Sequence, residues 1–295
     1  MGRKKITEAL KAGKVLISDG AWGTFLQKKG LKPGECPELW CIDRPNEVLD
    51  VAKNYIDAGA DMIESDSFGG SCYKLEHYGL SLRAAEINEA AAKISRKAAG
   101  EDHWVIASMG PTGKMLVTEE VTEADLYAAF KTQAVAFEKG GADAVCIETM
   151  SDIGEACEAV RAVKENTKLE VICTFTFEKT PKGDFRTMMG AEPVPAMNAV
   201  IEAGADIVGA NCGNGLERMI DIVKEMRTVN KTIPILVHAN AGLPKNTPDG
   251  VIFPETPADM AALAPRLAAA GANIIGGCCG TTPAHIKAIK EALNK

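Results

Sequence analysis

No uninterrupted apolar stretch of the sequence reaches membrane-spanning length, so a helical span is not expected. There is no long basic block, and the formal net charge is -7, which disfavours nucleic acid and anionic membrane surfaces as partners. The opening, MGRKKITEAL, is basic but lacks the apolar run of a secretory signal, and Ile6 stands where a myristoylation signal carries Ser or Thr. A cytoplasmic location is therefore expected. No Pro/Gly/Ser-rich linker divides the chain, so residues 1–295 are expected to form one domain. No GxGxxG follows the first strand-like run, which weighs against an open dinucleotide-binding sheet. His77, His103, His238 and His285 form neither HxH nor HExxH.

What the chain does have is core and cysteine. It is 46% hydrophobic and 25% charged, ordinary proportions for a globular protein with a sizeable interior. In a reducing compartment its 9 cysteines do not form a disulfide framework; they are core residues, metal ligands or nucleophiles.

Four related phrases recur: AGAD at 58–61, GGAD at 140–143, AGAD at 203–206 and AGAN at 270–273. Each closes a helix-like segment with Gly, and each is followed at once by a buried-strand run: MIESD, AVCIE, IVGANC and IIGGCC. KVLISD, WVIAS, EVICTFT and PILVHAN have the same character, making eight strands. Helical patterns lie between them at 46–59, 81–100 and 122–140, and Thr256-Pro257 and Thr282-Pro283 open two more. Eight short strands alternating with helices predict an α/β fold, a (β/α)8 TIM-type barrel.

Barrel enzymes build their sites where the strands end. The ends here carry Asp19, Asp66, Met109-Gly110, Glu148, Thr174 and Thr176, Asn211-Cys212, His238 and Asn240, and Cys278-Cys279. Cys212 closes the sixth strand and Cys278-Cys279 the eighth, so three sulfurs can converge over the barrel mouth. Adjacent residues on a regular strand point to opposite faces, so a shared ligand needs a break there; Gly276, Gly277 and Gly280 permit one. Three thiolates with one open position are what a catalytic zinc site requires. Buried small hydrophobes and a strained vicinal disulfide are the other readings of the pair. Cys36, Cys41, Cys72, Cys146, Cys157 and Cys173 read as packing residues, since CPELWC at 36–41 has no second pair.

With these residues assembled, the sequence resembles the homocysteine S-methyltransferase family. SDGAWGT, SMGPTG, IETMSDI, GANCGNG, HANAGLP and GGCCGTTPAHI occur in the family's order over nearly the whole chain. The resemblance implies that Cys212, Cys278 and Cys279 bind Zn²⁺. It implies that Asp19 and Glu148 hold a substrate ammonium, that backbone amides near Gly20 and Ala21 hold its carboxylate, and that Asn240 approaches the zinc when substrate is absent. The activity implied is methyl transfer to a thiol, homocysteine giving methionine, with the zinc-bound thiolate attacking the donor methyl.

The second strand departs from the family pattern. Glu64-Ser65-Asp66-Ser67-Phe68 stands where Thr-Asn-Thr-Phe is common. Ser67 replaces a threonine hydroxyl. Asp66 adds a carboxylate which, if it faces the pocket, favours a more cationic acceptor. Methylcobalamin supplied by a separate corrinoid protein, S-methylmethionine and S-adenosylmethionine are all expected as candidate donors, because no corrinoid or folate segment is expected after the barrel. A demethylase-type methyltransferase working with a corrinoid protein, and a zinc-binding or redox-sensing barrel without catalysis, are the competing readings.

Overall fold

The computed structural model describes residues 4–247 and 250–294; the Met-Gly opening lies outside them. The strands that build the barrel are β1 (Leu16–Ile17), β2 (Met62–Ile63), β3 (Trp104–Met109), β4 (Ala144–Met150), β5 (Glu170–Phe175), β6 (Ile207–Asn211), β7 (Ile235–Ala239) and β8 (Ile274–Gly277). They are parallel and ordered β1-β8-β7-β6-β5-β4-β3-β2, each beside its neighbour in sequence. The β1–β2 seam is bridged by the Asp61 amide donating to the Ile17 carbonyl at 2.7 Å. The eight-stranded, helix-wrapped barrel read from the sequence is the architecture observed.

The fourfold phrase has a mechanical meaning. Gly59, Gly141, Gly204 and Gly271 follow helices with φ of 99°, 87°, 113° and 115°, a conformation that side-chain-bearing residues resist. The residue two places on then latches its strand to the preceding one. Asp61, Asp143, Asp206 and Asn273 accept from the amides of Ile17, Val105, Val171 and Ile235 at 2.8, 2.7, 2.8 and 2.9 Å. Their own amides donate back to the carbonyls of the same four residues. A cation or guanidinium closes each latch: Lys290 on Asp61, Arg96 on Asp143, Lys164 on Asp206 and Arg227 on Asn273. The repeat thus ties β1 to β2, β3 to β4, β5 to β6 and β7 to β8 at the base of the barrel.

Two apolar layers result. Between strands and helices lie Val105, Ile147, Val171, Val208, Val237 and the helix faces against them. Inside the barrel, Leu16, Met62, Ile106, Cys146, Ile172, Ile207, Leu236 and Ile274 pack together, with Ile6 and Leu10 beneath them. The short helix Ile6–Leu10 closes the floor, and Glu170 accepts from the Ile6 and Thr7 amides at 2.5 and 3.1 Å. This helix covers the end of the barrel opposite the C-terminal strand ends.

Candidate active site and metal centre

A cavity of about 370 Å³ occupies those strand ends. Its wall includes Gly20, Trp22, Glu38, Glu64, Asp66, Ser67, Phe68, Ser108, Glu148, Thr149, Cys212, His238, Cys278 and Cys279. Among the described residues no Lys or Arg lines it, so four carboxyl side chains face a space that holds no protein cation.

The sulfurs converge because both chain ends that carry them leave regular geometry. β8 stops at Gly277, and the Cys278 amide turns to donate to the Ala239 carbonyl at 2.7 Å. The Ala241 amide donates to the Cys279 carbonyl at 3.0 Å, and Gly280, at φ 81°, completes the bend. Thr281 pegs the turn: its Oγ1 donates to the Cys278 carbonyl at 2.7 Å and accepts from the Ala21 amide at 3.1 Å. On the other side Cys212 sits at φ 58°, an unusual backbone conformation for a residue with a Cβ and one that recurs at functional sites. Its amide donates to the His238 carbonyl at 2.9 Å.

The three Sγ atoms lie within 4.8 Å of one another, with Cys212 and Cys279 3.9 Å apart. Tetrahedral zinc with Zn–S near 2.3 Å would space its sulfurs about 3.8 Å apart. Three thiolates this close repel one another unless a cation lies between them. Cys212 is accordingly pushed down to about 3 by hydrogen bonds from the Cys278 and then the Cys279 thiol. Those same contacts push Cys278 well up and Cys279 up to about 12. The donor set fits a thiophilic metal, and Asn240 lies against the Cys212 sulfur with its Oδ1 buried and unpartnered.

Glu148 lies near the C-terminal end of β4 and lines the cavity. Ser108 Oγ donates to its Oε1, and Asn211 Nδ2 to its Oε2 at 3.3 Å. Asn211 is a hub: its Oδ1 accepts from the Thr149 amide and from Thr174 Oγ1, each at 2.7 Å. It therefore fixes Glu148 and, as the residue before it, Cys212. Burial raises the Glu148 carboxyl to about 7.

Asp19 does not reach the cavity wall. It is fully buried, and its Oδ2 accepts from Trp22 Nε1 and from the Glu64 amide, each at 2.8 Å. Burial raises it to about 7. Gly20 and Ala21 both line the cavity, and the Ala21 amide donates to Thr281 Oγ1. Asp66 and Ser67 both line it. The Ser67 hydroxyl donates to the Ser108 carbonyl at 2.7 Å. Asp66 is buried beside Glu38 and the Cys41 thiol, and burial, then Glu38, pushes its carboxyl well up.

Several cavity residues were not singled out from the sequence. Glu38 arrives from the segment after β1, held by the Gly69 amide at 2.6 Å. Glu64 reads as one polar residue in a strand run, yet it lies 3.5 Å from His238 Nδ1. Only the departure of that run from apolar continuity could have marked it. Of the other histidines, His285 accepts from the Thr282 amide at 3.1 Å and His103 contacts the Ala60 carbonyl at 3.0 Å. The six remaining cysteines are buried or half-buried free thiols, as packing residues should be.

Residues 16–293 match the model of the homocysteine S-methyltransferase family. The chain is 32% identical over 298 residues to methionine synthase of Mycobacterium tuberculosis, covering 95% of this chain and 25% of that protein. It is 32% identical over 300 residues to methionine synthase of Mycobacterium leprae, covering 96% and 24%. The chain thus spans about a quarter of the length of these relatives. The metallated form of the homocysteine methyltransferase MmuM from Escherichia coli superposes with a TM-score of 0.79 at 21% identity, over 96% of this chain and 98% of that one. Its apo form gives 0.73 at 20% identity, over 96% and 97%. These structural likenesses support the barrel fold. No helix of the described residues is long and apolar enough to cross a membrane.

Proposed function

The chain belongs to the homocysteine S-methyltransferase family, and from that premise we propose that it transfers a methyl group to the sulfur of homocysteine, forming methionine in the cavity at the barrel mouth. The observation that carries this is the convergence of Cys212, Cys278 and Cys279 on one wall of that cavity.

Cys212, Cys278 and Cys279 are the residues that would hold a zinc ion. So held, the ion would lower the pKa of a thiol offered at its open position while the three cysteine charges keep that sulfur electron-rich. The chain's own residues do the rest. Glu148, oriented by Ser108 and Asn211, faces the amino end of the substrate. Gly20 and Ser67 border the same space. Asp19 supports the site from behind, tying Trp22 and the start of Glu64 to the end of β1. A methyl donor would approach through the mouth at the strand ends, and a methylated corrinoid is the donor tested below. Residues 1–295 act as one barrel unit in this reading.

The test is methyl transfer from methylcobalamin to L-homocysteine by the zinc-loaded protein, followed by cobalamin absorbance and methionine formation. Turnover should require both zinc and homocysteine and be absent from Cys278→Ser. Zinc bound in the native protein, with homocysteine neither bound nor methylated, would overturn it.

A second reading keeps the metal and changes the acceptor. Asp66 and Glu38 on the cavity wall are the observation that favours it. A panel of thiols with and without a carboxylate separates the two: preference for an aminothiol lacking the carboxylate would select the second.

A further inference from the structure

Thr281 holds the Cys278–Cys279 turn from one side, and His285 holds it from the other. His285 is buried, and both of its ring nitrogens meet backbone groups. The Thr282 amide reaches Nδ1 at 3.1 Å, and the Glu255 carbonyl lies 3.0 Å from Nε2. A backbone N–H can only donate and a carbonyl can only accept, so Nδ1 is bare and Nε2 carries the proton. One neutral tautomer satisfies both bonds and the other satisfies neither. In an ordinary capping box the third helical residue is Glu or Gln, and it reaches back to the cap alone. Histidine at the start of the helix Pro283–Leu293 adds a second arm, directed to Glu255.

That arm closes a circuit around the sulfur pair. The Ala241 amide donates to the Cys279 carbonyl at 3.0 Å, and the Glu255 amide to the Ala241 carbonyl at 2.9 Å. His285 then ties the Glu255 carbonyl back to Thr282, just beyond the turn. A second run of backbone bonds leads to the third sulfur. The Asn240 amide donates to the Asn214 carbonyl at 2.9 Å, and the Asn214 amide to the Cys212 carbonyl at 2.7 Å. Asn240 and Ala241 thus join the two halves of the triad, and Glu255 is the residue that pins Ala241. Within the circuit Gly280 packs closely: a Cβ there would stand 2.3 Å from Phe253 Cβ.

We propose that His285 is a positioning residue of the metal centre, whose Nε2–H, set by the Thr282 cap, holds the Ala241–Glu255 pairing against the Cys278–Cys279 turn and so sets the sulfur spacing. This rests on the zinc-dependent reading above. A helix cap by itself needs only an acceptor at this position; the buried donor directed to Glu255 is what the cap leaves unexplained.

The test compares two substitutions of equal size in the reduced full chain. His285→Glu keeps an acceptor for the Thr282 amide and has no proton for Glu255. Its negative charge suits both a helix start and a bound cation, so a loss of affinity reports the missing donor. Zinc affinity, measured by competition with a chromophoric chelator, should fall about 10- to 100-fold. The visible bands of Co²⁺ bound in place of zinc should shift with it. His285→Gln offers both an acceptor and an N–H, and should stay within about threefold of native affinity with native Co²⁺ bands. Native affinity in the Glu variant, or a Gln variant as impaired as Glu, would overturn the assignment. So would ring ¹⁵N shifts of the native protein that place the proton of His285 on Nδ1, a measurement that stands even if His285→Glu does not fold. A native chain that binds no zinc would overturn the underlying reading instead, and shows before any substitution is made.

Discussion

Thr281 is where the geometry of the sulfur pair can be tested without touching a sulfur. Its hydroxyl is buried, accepts from the Ala21 amide at 3.1 Å and donates to the Cys278 carbonyl at 2.7 Å. Thr281→Val keeps the shape and removes both bonds. A buried amide left without a partner costs about 1–3 kcal/mol, and the lost bond to Cys278 adds about 1 kcal/mol. The sum, about 2–4 kcal/mol, is a shift of about 1 M in a urea midpoint at an m-value of about 3 kcal/mol/M. Because the same carbonyl fixes the turn that presents Cys278 and Cys279, zinc affinity should fall about 10- to 100-fold, as for other supports of metal ligands. Urea unfolding read by tryptophan fluorescence and zinc competition with a chromophoric chelator are the two assays. Thr281→Ser is the control: it keeps the hydroxyl and should retain most of both quantities. A Val variant with an unshifted midpoint and native zinc affinity would refute the argument. A Ser variant as impaired as Val would show that methyl packing, not the hydroxyl, holds the turn.

Asp19 predicts a pH effect of definite sign. Its folded carboxyl sits at about 7 against 3.8 for the free side chain, so the native state holds a proton that the unfolded chain has released. Its contribution is fully present below pH 3.8 and is lost as pH rises through about 7. Asp19→Asn should remove up to about 3 kcal/mol of that decline between pH 5 and pH 8, read from urea unfolding at those two pH values. An unchanged slope would contradict the burial argument. Gly209→Ala should damage the barrel itself, since a Cβ there would stand 1.8 Å from the Leu236 carbonyl oxygen of the neighbouring strand. A loss of at least about 3 kcal/mol, or no soluble protein, is expected from unfolding measurements; a near-native midpoint would mean that β6 and β7 can part at small cost.

Strands buried on both faces cannot alternate, so their apolar runs stood out in the sequence, and the helix stops stood out because only Gly tolerates their backbone. The fourfold phrase was legible as punctuation. Its role as a latch was not, because the amides that each Asp or Asn accepts belong to a strand some 35–45 residues earlier. Cys212, Cys278 and Cys279 were legible as a group because the sixth and eighth strand ends lie one strand apart and a glycine-rich bend can turn adjacent cysteines toward one point.

The acidic side of the site was read less completely. Asp19 and Glu64 are both polar residues at strand ends, and sequence favoured Asp19. In the folded chain Trp22, three residues later, draws Asp19 inward, while Glu64 leans toward His238 on the far side of the barrel. Glu38 enters from a connecting segment whose path no periodicity describes. The sequence by itself determined the number of strands, their order and the three sulfurs at the rim. Tertiary structure decided which carboxylates face the cavity, because a side chain leaving a strand end is aimed by donors from other strands, and those meet it only when the barrel closes.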